Sequence, residues 1–164
     1  MKKRKISIST IILIIVFLVG LSVMLYPAVS DYWNSKTQSH AIAEYDEILN
    51  NMDDKQYQKL LSEAEDYNER LKSLYSPLEN YSEIEGYENS LDVTGTGIMG
   101  YVTIPEISVE LPIYHGTSDE VLNVAVGHVQ GSTLPIGGKS THSVISAHRG
   151  LPSAKLFSDL DELS

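Results

Sequence analysis

Cysteine is absent from the 164 residues. No disulfide can staple such a chain, no thiolate metal site can form, and no thiol is available as a nucleophile. Positive charge is also scarce beyond the N-terminus. Four of the 12 Lys and Arg fall within residues 2–5, whereas all 22 Asp and Glu lie beyond residue 30, so that part carries a formal charge of −14. A surface of this sign is a poor partner for nucleic acid, and its ordinary consequence is solubility. There is no internal repeat, no low-complexity tract and no Gly-x-Ser-x-Gly elbow of the kind that presents a catalytic serine.

What the chain does possess begins with Lys2-Lys3-Arg4-Lys5, followed by Ile6–Tyr26, 21 residues without a charged side chain. As a helix this run reaches roughly 30 Å, the thickness of a bilayer core. The basic cluster is expected to stay in the cytoplasm, which puts everything after Pro27 outside, in a single-pass cell-membrane protein. A cleaved secretory signal is the competing reading, because Ala28-Val29-Ser30 offers small residues where a signal peptidase inspects them. An uncleaved anchor is preferred over it and over a buried core helix.

Two amphipathic helices are expected next. Ala41, Ile42, Tyr45, Ile48, Leu49 and Met52 recur at three- and four-residue steps, as do Tyr57, Leu60, Leu61, Ala64, Tyr67, Leu71 and Leu74. Asp53 is a good N-cap with Gln56 in the capping-box position, and Ser76-Pro77 closes the second helix. The pair reads as a helical hairpin that packs on its neighbour rather than as a partner-binding coiled coil. Near Gly95 the period changes from helix to strand. Ile98–Ile104 and Val109–Ile113 alternate as two half-buried strands about Pro105-Glu106. A short helix is expected around Ser118–Asn123, strands at Ala125–Val129 and His142–Ala147, and a last helix at Ser153–Leu163.

The stretch with most chemistry in it is Ser-Ala-His-Arg-Gly-Leu-Pro-Ser-Ala-Lys-Leu-Phe, residues 146–157. An apolar strand, Val144 and Ile145, delivers His148 to a Gly-Leu-Pro turn, as the base half of a nucleophile–base pair does. An imidazole both gives and takes a proton near neutrality. His142 lies six residues earlier, roughly 20 Å along a strand, too far to share a metal ion with His148. Ser143 and Ser146 are weak nucleophile candidates, since Ser146 sits too near His148 in sequence to meet it from one strand.

Four blocks, Gly-Tyr-Val-Thr-Ile-Pro-Glu-Ile (100–107), Leu-Pro-Ile-Tyr-His-Gly-Thr (111–117), Gly-His-Val-Gln-Gly-Ser-Thr-Leu-Pro-Ile-Gly-Gly (127–138) and Thr-His-Ser-Val-Ile-Ser-Ala-His-Arg-Gly-Leu-Pro (141–152), resemble a class C, pilin-polymerising sortase in order and spacing. The resemblance extends over about residues 30–164. It implies a cysteine transpeptidase whose thiolate attacks the Thr carbonyl of a Leu-Pro-x-Thr-Gly signal, with a histidine as general acid and base and an arginine on the oxyanion. His148 matches the catalytic imidazole, and His115 and His128 match structural positions. The implied partners are pilins or surface proteins bearing that signal, together with the membrane of a Gram-positive cell; no cofactor and no metal are implied.

The family's Thr-Leu-x-Thr-Cys strand, its later arginine and its usual second membrane helix have no counterpart among these residues. Arg149 cannot replace the arginine, because neighbours on a strand face opposite ways. The family's lid carries Asp-Pro-aromatic, whereas the corresponding lid-like segment here is Ser76-Pro77-Leu78. Leu134–Gly138 resembles a sorting signal but lacks its Thr, and reads better as a turn.

The expected fold is mostly β, the first half of a sortase-type eight-stranded barrel preceded by a transmembrane helix and an amphipathic helical hairpin. Residues 1–30 would form the basic tail and anchor, 31–94 the helical region with the lid-like segment, and 95–164 the partial barrel. Such a chain, truncated before its nucleophile, is expected to be inactive alone. The alternative is a non-catalytic, membrane-anchored module that binds pilin or a partner sortase.

Overall fold

The structure is a computed structural model that describes residues 7–163; the basic cluster Lys2–Lys5 lies outside them. Its first element, α1, is a single helix over Ile8–Asn51. Ser7 caps it, its side chain accepting from the Thr10 N–H at 3.2 Å. The anchor and the first arm of the expected hairpin are therefore one continuous rod that passes straight through Pro27. A proline inside a helix removes one hydrogen bond, and here that single loss does not end the helix, because residues 31–38 are held by bonds to the rest of the molecule described below.

Helix α2, Asp54–Ser73, begins as its sequence dictates. The Asp53 carboxylate accepts from Gln56 N–H at 2.8 Å, and the Gln56 side chain accepts from Asp53 N–H at 3.1 Å. Arg70 and Lys72 lie in its last turn, where cations meet the negative end of the helix. A short helix α3, Pro77–Asn80, and two 3₁₀ turns lead to the sheet.

Strand β1, Ile98–Ile104, pairs antiparallel with β2, Val109–His115, through a 3₁₀ turn at Pro105–Ile107. After the short helix α4, Asp119–Leu122, strand β3, Val126–His128, runs parallel to β2, and β4, Ile145–Ser146, is antiparallel to β3. The sheet order is β1-β2-β3-β4.

A mostly β chain is thus the wrong description. The described residues are 54 % helical and 13 % strand, with long N-terminal helices followed by a four-stranded partial sheet. One reason is α1, which alone takes 44 residues. The other is the brevity of the later strands. Strand β4 was expected over 142–147, but the His142 and Val144 N–H groups are taken by the side-chain oxygens of Thr133 and Ser132, at 2.8 and 3.1 Å, in place of regular ladder partners. The last expected helix is likewise reduced to a 3₁₀ turn at Leu160–Glu162. Leu156 adopts φ 39°, and the Lys155 and Phe157 N–H groups bond Asp31 and the His148 carbonyl, so none is available to a helix there.

The core lies between α2 and the sheet. Ala64, Tyr67 and Leu71 of α2 pack with Met99, Val109, Leu111, Ile113 and Val126, and Leu156 and Phe157 close the same cluster from the far end of the chain. Helix α1 adds Ile42 and Tyr45, and the Tyr45 hydroxyl donates to the Met99 carbonyl at 3.0 Å.

Candidate functional site

His148 lies two residues past β4, half-buried, in an irregular stretch that leaves the sheet. Its backbone is fixed, because the Phe157 N–H donates to its carbonyl at 3.2 Å and so folds residues 149–156 into a closed loop. The loop is tied again where the Gly150 N–H donates to the Ser158 hydroxyl at 3.0 Å. The imidazole itself makes no hydrogen bond among the described residues, and neither Ser143 nor Ser146 bonds to it. Ser146 instead lies in β4 opposite Gly127, and the Ser143 hydroxyl is buried with no partner. Arg149 is turned away to a 2.8 Å ion pair with Asp161, exposed on both sides.

His142 does not share a strand with His148, since β4 is confined to Ile145–Ser146. Among the described residues no three His, Cys, Asp or Glu side chains are placed to hold a metal ion.

The other two histidines of the sheet have opposite surroundings. His128 is fully buried; its Nε2 faces the Thr133 carbonyl at 3.0 Å and its Nδ1 faces the Tyr87 hydroxyl at 2.9 Å. A carbonyl only accepts, so Nε2 carries the proton and Nδ1 accepts from Tyr87. Burial holds the His128 pKa below its ordinary value, which agrees with a neutral ring. Tyr87 in turn accepts from the Gly116 N–H at 2.9 Å, and burial pushes its hydroxyl well above the usual phenol range. Ser132 completes this network by accepting from Val144 N–H and donating to the Val129 carbonyl at 2.7 Å. His115 is clamped between the carbonyls of Gly97 and Ser90 at 2.9 and 2.8 Å, and Tyr87 meets its ring edge-on at 5.0 Å.

Asn68 of α2 bridges to the same region, accepting from the Leu134 N–H at 2.7 Å and donating to its carbonyl at 3.4 Å. Tyr87 and Asn68 are not apparent in the sequence, where they stand far from His115 and His128, and Ser132, although only four residues from His128, carries no local signal. The Ser76-Pro77-Leu78 segment packs by its backbone on Gly131, in the loop between β3 and β4. A Cβ at Gly131, whose φ is +86°, would come within 2.7 Å of the Pro77 carbonyl and of Leu78 Cα. Leu78 is 61 % exposed, and Ser76 and Leu78 make no side-chain hydrogen bond to the sheet among the described residues.

These surroundings accompany clear similarities. The model of the sortase domain matches residues 102–164, a range that takes in His148. A solved sortase C1 of Streptococcus agalactiae is 44 % identical with TM-score 0.66, over 76 % of this chain and 65 % of that one. A sortase C of Streptococcus pneumoniae is 40 % identical with TM-score 0.65, over 76 % of this chain and 64 % of that one. A lid mutant of the Streptococcus agalactiae enzyme is 38 % identical with TM-score 0.65, over 75 % and 63 % of the two chains. No curated protein matches. The chain therefore spans a little under two thirds of the length of these relatives. A shared sheet at this level of identity, with the domain match running through the histidine loop, places the chain in the sortase family, among relatives of sortase C.

Proposed function

We propose that this chain supplies the membrane anchor, the helical support and the acid–base histidine of a class C sortase, acting on Leu-Pro-x-Thr-Gly signals of pilins or surface proteins. The observation that carries the reading is the contrast within the matched domain: His128 and His115 have every ring nitrogen engaged, whereas the half-buried His148 keeps its imidazole unbonded at the end of β4. In the family's reaction a cysteine thiolate attacks the Thr carbonyl carbon and the Thr–Gly C–N bond breaks. The protonated histidine delivers its proton to the departing amine. An incoming amine then attacks the thioester, giving its proton to the imidazole as the C–S bond breaks and the thiolate returns.

The chain contains no cysteine, so the thiolate and the oxyanion arginine have to come from sequence outside these 164 residues. In this proposal residues 1–30 anchor the protein with the N-terminus in the cytoplasm, 31–94 support and partly cover the site through Ser76-Pro77-Leu78, and 95–164 form part of the barrel. The apolar, exposed first part of α1 supports the anchor, being long and apolar enough to cross a bilayer. The absence of cysteine favours one second reading, a non-catalytic module that binds pilin or a partner sortase.

Incubation of the purified chain with a fluorogenic Leu-Pro-x-Thr-Gly peptide separates them. The expected result is no turnover by the chain alone and turnover once the family's cysteine-bearing segment is joined to its end. Turnover by the chain alone, lost in His148→Ala, would overturn the assignment of the nucleophile. Peptide binding without turnover in the extended protein would favour the module.

A further inference from the structure

The first charged residue after the uncharged run is Asp31, and its carboxylate is spent on the domain rather than on water. It accepts from the Lys155 backbone N–H at 2.7 Å. One turn on, Asn34 donates to the Ser153 carbonyl at 2.8 Å, and Gln38 donates to the Val124 carbonyl at 2.6 Å. Residues three and four apart share a helix face, so 31, 34 and 38 form one polar seam: Asp31 and Asn34 dock α1 on the loop closed by His148 and Phe157, and Gln38 docks it on Val124, just ahead of β3.

The opposite side of the same turns is uncovered. Tyr26, Val29, Tyr32 and Trp33 are 58, 62, 68 and 70 % exposed. Trp33 is turned about 200° from Asp31 around the axis, and it borders a shallow recess with Leu25, Tyr26 and Val29. Beyond Trp33 this face becomes polar at Lys36, Thr37 and His40. The helical, uncharged residues 8–30 measure roughly 35 Å, against a hydrocarbon core of roughly 30 Å. The aromatic group thus falls where tyrosine and tryptophan concentrate, at the boundary between acyl chains and headgroups.

Resting on the anchored reading above, we propose that Tyr26, Val29, Tyr32 and Trp33 form a lipid-contact surface seated in the outer interfacial layer of the bilayer. The seam at Asp31 and Asn34 then holds the loop of residues 149–156 at the level of the headgroups. His148 consequently works at the membrane surface, not at the end of a stalk.

The chain is suited to a direct test, since Trp33 is its only tryptophan and it has no cysteine. The full chain is reconstituted in phosphatidylcholine–phosphatidylglycerol vesicles, floated, and its tryptophan emission measured with nitroxide lipids labelled near the headgroup or near the chain end. A second sample carries an environment-sensitive dye on Ser153→Cys. The expected result is Trp33 quenching about twofold stronger from the headgroup-level label, with the dye quenched by the same lipid. Flotation with Trp33 quenched by aqueous iodide and not by either lipid would overturn the proposal while leaving the anchor intact. Trp33 shielded from lipid and iodide alike would mean a protein neighbour on that face, and would also overturn it. A quenched Trp33 with an unquenched Ser153→Cys dye would refute the placement of the loop. Failure to float would overturn the anchor and the inference with it.

Discussion

The stretch around His128 and the stretch around His148 occupy neighbouring strands, yet their polar groups are met in different ways. From 126 to 134 each buried polar side chain has a partner: Tyr87, Thr133 and Ser132 surround His128, and Asn68 holds Leu134 at both N–H and carbonyl. From 145 to 157 the backbone is just as firmly tied, through Phe157, Ser158, Asn34 and Asp31, but the imidazole is left out. An unmet donor inside a protein costs stability, and His148, being half-buried, leaves its imidazole where water can reach it. The first region is framework, and the second presents a side chain.

The largest test of that division removes the framework's other wall. Residues 95–164 alone lose Ala64, Tyr67, Leu71, Tyr87 and Leu91 from the shared core. Each large apolar side chain uncovered forfeits roughly 1.5–3 kcal/mol, against a total margin of about 5–15 kcal/mol. The fragment is expected to show no cooperative melt by circular dichroism, and a sharp two-state transition would contradict the shared core.

Next in size is Asn68→Ala, which strips partners from the buried Leu134 N–H and carbonyl. Each group so exposed costs roughly 1–3 kcal/mol. Urea unfolding of the full chain in detergent should register the loss, and a change below about 0.5 kcal/mol would mean that water replaces the amide.

A smaller effect follows from His128. Its pKa is lowered in the fold by burial, so the unfolded chain takes up a proton first as the pH falls. Its stabilising contribution is present above the ordinary value of about 6.5 and drains away as the pH falls towards the lower folded value. The melting temperature of wild type should therefore fall more steeply than that of His128→Gln between about pH 7 and about pH 5. Parallel slopes would show that the ring is not held neutral.

The smallest effect belongs to His148→Ala, whose imidazole has no hydrogen bond to lose among the described residues. Its unfolding free energy should stay within about 0.5 kcal/mol of wild type. A larger loss would make His148 a part of the framework after all.

Local chemistry was legible where neighbours in sequence are neighbours in space. The Asp53–Gln56 capping box, the alternation of β1 and β2 and the Ser118 start of α4 could all be read from short windows. The mostly β expectation failed because strand length was judged from alternation alone. Alternation at 142–147 does not reveal that Thr133 and Ser132 hydroxyls would capture the strand's N–H groups. Nothing near Pro27 announces that the helix continues through it, because the bonds that hold it beyond that point come from residues 124, 153 and 155. The Tyr87–His128 pair joins residues 41 apart in sequence and has no pattern of its own. Polar residues at 31, 34 and 38, spaced as one helix face directly after an uncharged run, were the signal that would have found the seam. His148 stands out by its surrounding motif, and its open imidazole is a feature only the structure supplies.

The central claim, that one histidine is framework and the other does chemistry, is tested most directly in the extended protein, with the cysteine-bearing segment of a sortase C joined to residue 164. The measurement is kcat/KM for a Leu-Pro-x-Thr-Gly peptide alongside melting temperature, for wild type, His148→Ala and His128→Gln. The account predicts that His148→Ala loses about 10²–10⁴-fold in kcat/KM with its melting temperature unchanged, while His128→Gln melts earlier and, when folded, turns over peptide within a few-fold of wild type. Retention of activity by folded His148→Ala would contradict it.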